Sequence, residues 1–394
     1  MTAMSNTPAR AWSKEPFRIF FNQAIVAGVL GVALWPLHFW GAMEFYPGVP
    51  HVRVMVFGFF GGFIFGFLGT ALPRMLSAEP LRAWQVMTLL LVHGAMVVAY
   101  TIGKILAGDL LLALLLLTFV GCVIPRARSR KDVPPPGFIL VALAFVAVFA
   151  GTFLAILQHF RELPLFWIYF QRLLSSQGFL LLPILGIGPF ILPRFFGLPS
   201  SHNFPESLKA PPGWTRKALL ALATGLLVIT SLWIEATGWF RLGHGLRFFA
   251  VLVYWAIEMP FRAAPGFKTA FGASLRIAFL MLLAGFLAVV FFPEYRVSLL
   301  HLTLIGGFAI ITFIVGTRVV FGHSGNIEKL RAPNRWLLLP IGLMLFGMAT
   351  RISGDIWPRV LVSHYSYGAV LWVLGTLLWA IKVLPKTRVV EEED

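Results

Sequence analysis

The 394-residue sequence contains one cysteine, Cys122, so no disulfide framework can form within the chain. Cys122 lies near the end of an apolar run and reads as a small core residue. Charge is scarce too, at 12% of residues against about 25% in an ordinary soluble domain. Acidic residues are scarcest, 16 against 32 Lys and Arg. With 58% hydrophobic residues and a mean hydropathy of +0.84, these shortages exclude a soluble globular protein. Strict apolar–polar alternation is also missing. In lipid every backbone group must pair internally, so long apolar runs without alternation select helices over a barrel. The net charge of +16 does not point to nucleic acid, because the basic residues sit in short loops between apolar runs. There they set topology and meet anionic lipid head groups.

What is present is an all-α polytopic pattern of about twelve spans, each long enough to cross a bilayer. The predicted limits are Phe17–Met43, His51–Leu72, Leu81–Leu106, Asp109–Ile124, Gly137–Phe160 and Leu165–Phe195 in the first half. The second half gives Lys217–Gly238, Gly245–Phe261, Ala270–Phe292, Val297–Val320, Arg335–Ile352 and Trp357–Val383. The first run is too long for a signal-peptide core and is expected to stay in the membrane. Residues 1–394 read as one integral membrane domain, with an N-terminal segment at 1–16, a proline-rich central loop at 197–216 and a tail at 385–394. With the N-terminus inside, 23 of the 32 basic residues fall on the inner side, which places both termini in the cytoplasm.

On that topology six of the nine histidines fall in the outer third: His38, His51, His159, His244, His301 and His364. His93 lies at mid-depth, with His202 and His323 on the inner side. Imidazoles on different helices at one depth are what a metal or haem site in a bundle requires. An interfacial imidazole can equally bond head groups, and that reading is preferred for His38 and His244. His301 and His364 lie well inside their spans and read as buried and functional, while His51 and His159 are further metal-ligand candidates.

Arginines accompany this layer. Arg53 follows His51 by two residues, Arg172 sits in span 6 beside Gln171, Ser175, Ser176 and Gln177, and Arg351 and Arg359 bracket the turn into span 12. Such arginines would bind anionic groups such as haem propionates, or pair with Glu44, Glu162, Glu235 or Asp355. Arg53, Arg172, Gln177 and Arg351 are therefore cofactor-binding candidates. Glu258, alone in an apolar stretch, would relay protons or pair with Arg262 one turn on, and pairing is preferred.

Three stretches together resemble the NnrS family of bacterial membrane proteins. Thr317-Arg318-Val319-Val320-Phe321-Gly322-His323-Ser324-Gly325 is similar to its R-V-x-x-G-H-[ST]-G signature. Gln177-Gly178-Phe179, with Gly186-Ile187-Gly188-Pro189-Phe190 and Pro193-Arg194, is similar to its Q-G-F…G-x-G-P-F-x-x-P-R run. His51, Met55 and Phe57-Gly58-Phe59 fit the frame of its W-H-x-H-E-M-x-F-G-F motif. The resemblance implies a haem- and copper-containing inner-membrane protein linked to nitric oxide, nitrosative stress and denitrification. Where the family pattern has a second His and a Glu, this chain has Arg53 and Val54, which weakens the copper expectation. His323 lies about 33 Å along a straight helix from His301 and, with Arg318, forms a separate motif at the cytoplasmic end.

Two classes of function follow. The first is a haem b protein that binds or turns over nitric oxide or another small gas at an outer-face site, with an electron donor if it is an oxidoreductase. No C-x-x-C-H run is present, so the haem would be held by ligation rather than covalently. His51 and His301 lead as axial ligands, with His364 and His159 next for haem or copper. The twelve-span catalytic subunits of haem-copper oxidases are a poorer fit, because this chain has no His-His pair and no His in span 6. The alternative class is a secondary transporter of a small solute without a redox cofactor. Against it, the polar residues gather in the outer third and no internal repeat is evident.

Overall fold

In the computed structural model the backbone is described for residues 8–195, 207–259, 269–330 and 334–390, and side chains of the first stretch from 11 to 193. The core of the central loop with His202, the Arg194 side chain, Arg262 and the acidic tail lie outside these residues. Among the described residues there is no strand. Eleven helices among the described residues are long and apolar enough to cross a membrane. The protein is a multi-pass, all-α membrane protein.

The spans are Phe17–Phe39, Gly48–Met75, Ala83–Thr101, Ile105–Arg128, Phe138–Leu157 and Leu165–Pro193 (spans 1 to 6), then Trp214–Ala236 (span 7). Span 8 is the helix Phe240–Glu258. Ala270–Phe291, Pro293–Gly322, Arg335–Ile356 and Pro358–Arg388 are spans 9 to 12. Span 8 is the segment of the expected twelve that falls outside the eleven apolar helices. It forms a helix all the same, but carries Arg241, His244, Arg247 and Glu258. Its boundary also moves, starting at Phe240 rather than Gly245.

Short turns join neighbouring spans into antiparallel pairs. Spans 3 and 4 turn at Gly103 and spans 7 and 8 at Gly238, with φ of +75° and +95°, a region that only glycine enters without strain. A short helix, Pro8–Lys14, precedes span 1.

Three spans among the described residues contain a π-helical stretch. Val54–Phe60 in span 2, Leu174–Gly178 in span 6 and Leu302–Ala309 in span 10 are π-helical. Each begins one to three residues after His51 and Arg53, Arg172, or His301, and each holds or ends on the glycine of a Gly-Phe pair (Gly58, Gly178, Gly307). A π turn widens the helix and re-aims the residues around it, which is why such turns gather at functional positions.

The chain divides into two compact units. Unit 1 holds residues 1–131, 312–344 and 369–394, and unit 2 holds 132–311 and 345–368. Unit 1 has an aromatic core. Phe59 packs edge-on to Trp372 at 5.4 Å, and Phe313 packs against Trp379 at 4.9 Å. A side chain at Gly28 would stand 2.8 Å from Phe59 and 2.9 Å from Trp372, so only glycine lets span 1 lie against them. In unit 2, Phe170, Leu173, Leu174, Ala147 and Leu232 form a buried apolar cluster.

Candidate functional site

His51 opens span 2 in unit 1, partly buried. Its Nδ1 lies 2.8 Å from the carbonyl oxygen of Gly31 on span 1, and Trp35 packs edge-on to the ring at 6.1 Å. A carbonyl accepts only from N–H, so Nδ1 carries the proton and Nε2 the lone pair. That tautomer, held by a backbone carbonyl, is the one a metal-ligating histidine adopts.

His301 in unit 2 repeats the arrangement with its own helix. Its Nδ1 lies 3.1 Å from the carbonyl oxygens of both Val297 and Ser298. The turn that presents it is fixed from outside, because the Ser298 hydroxyl donates to Asp355 on span 11. Asp355 also accepts from Arg351 at 2.9 Å and from the Tyr365 hydroxyl at 2.5 Å. The Arg351 guanidinium stacks 3.6 Å from the Tyr365 ring centroid. One carboxylate thus ties the His301 helix to spans 11 and 12. His364, in span 12, has its Nδ1 2.8 Å from the Ser353 hydroxyl, which donates to the Thr350 carbonyl. His159 is exposed in the turn after span 5.

The arginines divide clearly. Arg351 is paired with Asp355 at 2.9 Å, one of the pairings left open by the sequence. Arg53 is buried at 6% exposure, with Nε 3.3 Å from Asp109, a partner not anticipated. The Tyr100 hydroxyl donates to the same carboxylate at 2.7 Å. Arg172 and Arg359 are exposed. Gln177, expected at a cofactor, has its side-chain oxygen accepting from Arg247. Glu258 lies 3.8 Å from Lys217.

The sequence did not bring together three of the fully buried ionisable groups. Glu235, His244 and Arg247 are all 0% exposed. His244 therefore does not reach head groups as expected of it. The signal available was two opposite charges, Glu235 and Arg247, on consecutive spans joined by a short turn. His93 is also 0% exposed, its Nε2 3.1 Å from the carbonyls of Phe57 and Gly58 inside the π turn of span 2. That contact makes it a support of the turn.

The span 10 motif ends in a separate cluster within unit 1. His323 Nδ1 lies 2.6 Å from Glu15, which also binds Arg18 and Arg74. Arg18 donates to the carbonyls of Thr387, Val389 and His323 at 2.8, 2.6 and 2.9 Å. Burial raises the Glu15 carboxyl, but the His323 hydrogen bond and charge, then Arg18 and Arg74, outweigh it and bring the pKa down from 4.5 to about 2. The cluster clasps the entry to span 1, the end of span 10 and the C-terminal segment together.

The sequence profile of the NnrS protein family matches residues 11–388, nearly the whole chain. The chain belongs to the NnrS family. No curated protein matches it in a sequence comparison. The matched range takes in all three stretches that carry the NnrS resemblance, including the π turns of spans 2, 6 and 10. The donors at hand suit haem iron, which needs one imidazole from a given helix. They do not suit a copper site built on positions 53 and 54, since a guanidinium has no lone pair to give and valine has no donor. Among the described residues no three His, Cys, Asp or Glu side chains meet as a metal cluster.

Proposed function

We propose that this NnrS-family chain is a haem b protein of the bacterial inner membrane that binds or turns over nitric oxide. The carrying observation is the His301 turn: its Nδ1 is held by two backbone carbonyls, and its helix is braced through Ser298 on Asp355. Rigid support of that kind keeps the Nε2 lone pair aimed, as axial ligation needs. His301 is the leading axial ligand, followed by His51, with His364 and His159 behind them. Ferrous haem with an open position supplies the site for nitric oxide. Arg351 and Arg53 spend their charge on Asp355 and Asp109, so a propionate role is kept for Arg172 alone. Turnover further needs an external electron donor.

The test is a purified sample in detergent. The expected result is a Soret band with stoichiometric iron, lost in His301→Ala and retained in His38→Ala; loss in His51→Ala instead would assign the ligand to span 2. A colourless protein without iron or copper would reject the haem reading and return the transporter alternative.

A further inference from the structure

Glu235, near the end of span 7, has two donors and an imidazole around it. Arg247 Nη2 lies at 2.6 Å, His244 Nε2 at 3.2 Å and the Tyr169 hydroxyl at 3.0 Å. The remaining guanidinium nitrogens of Arg247 meet neutral acceptors, Gln177 and the Ser231 hydroxyl. One carboxylate therefore already balances one guanidinium. His244 is surplus to that balance, 0% exposed, and neither of its ring nitrogens makes a hydrogen bond. A purely structural ion pair does not call for such an imidazole, and an ionisable group held in the membrane is costly unless used.

The cluster adjoins the helix that carries His301. Phe286 of span 9 lies 6.2 Å from the His244 ring and 5.5 Å from the Arg247 guanidinium. The next residue, Gly285, packs onto the residues that follow His301: a Cβ there would stand 2.8 Å from the Thr303 nitrogen and 3.2 Å from Leu302. Arg296, five residues before His301, hydrogen-bonds Tyr169 and stacks on Phe240 at 4.4 Å. The charged groups facing His244 are thus Glu235 and Arg247 from spans 7 and 8 and Arg296 from span 10, with Tyr169 of span 6 closing the set.

We propose that Glu235 and His244 form a proton-holding site that takes up one proton from water when an external one-electron donor reduces haem at His301, and releases it on reoxidation. This rests on the haem reading above. An electron added near the cluster lowers the local positive charge and favours the protonated imidazole, and exclusion of water strengthens the effect. Histidine is the side chain whose charge changes near neutral pH, so it is the group able to respond.

The experiment is a spectroscopic redox titration of the purified full-length protein from pH 6 to 8. In the unaltered protein the midpoint potential falls as pH rises. At full linkage the reduced-to-oxidised ratio changes tenfold per pH unit, about 59 mV for one electron. His244→Gln keeps the Soret band and flattens the dependence, and Glu235→Gln gives a second, independent reading if the first variant does not fold. A flat profile in the unaltered protein, or an unchanged slope in the folded variants, overturns the proton site while leaving the haem. Absence of any Soret band overturns the haem reading itself, and the proton site with it.

Discussion

Arg53 in unit 1 and Arg247 in unit 2 are both buried arginines with a carboxylate and a tyrosine hydroxyl beside them, yet they are held differently. Arg53 approaches Asp109 at 3.3 Å, while Tyr100 donates to that carboxylate at 2.7 Å. Asp109 thus keeps a close partner even without the arginine. Arg247 lies 2.6 Å from Glu235 and is also bound by Gln177 and Ser231, so three groups from spans 6 and 7 converge on one guanidinium. An imidazole stands only in the second set. The same ingredients therefore make a local brace in one unit and a cross-linked, titratable cluster in the other.

Substitution of the two arginines gives the largest expected effect. Arg247→Met removes the one guanidinium that neutralises Glu235, leaving it fully buried with Tyr169 and His244 while Gln177 and Ser231 also lose their donor, at a cost of about 3–5 kcal/mol. Arg53→Met leaves Asp109 with Tyr100 and costs about 1–3 kcal/mol. Thermal unfolding in detergent reads both, and equal losses would dissolve the distinction.

A smaller effect is expected at the His301 brace. Ser298→Ala removes the hydroxyl that reaches Asp355 but not the carbonyl that holds His301 Nδ1. Haem is retained, while the Soret maximum and the low-temperature electron paramagnetic resonance spectrum shift. An unchanged spectrum would show that the brace does not act on the ligand. His51, which takes its carbonyl from a neighbouring span, should be indifferent to this change.

The smallest effect concerns the clasp of Glu15, Arg18, Arg74 and His323. The lowered carboxyl contributes stability that is fully present above its ordinary 4.5 and is lost as pH falls toward about 2. Melting of the unaltered protein should therefore drop between those values more than melting of Glu15→Gln. Parallel curves would mean the clasp adds nothing.

The sequence by itself determined the membrane class, the helical spans, the family and the histidines worth testing. Each of these depends on residue type summed along the chain: hydropathy over a window, basic residues per loop, or motif spacing. Span 8 shows the limit of that sum, because Arg241, His244, Arg247 and Glu258 dilute a helix that forms nonetheless. The tertiary structure decided the partners. Asp109 for Arg53, Glu235 for Arg247, and the burial of His244 depend on which helix faces meet, and no window along one chain contains that. The π turns after His51, Arg172 and His301 were likewise out of reach, since their sequences read as ordinary apolar helix until packing selects the wider turn.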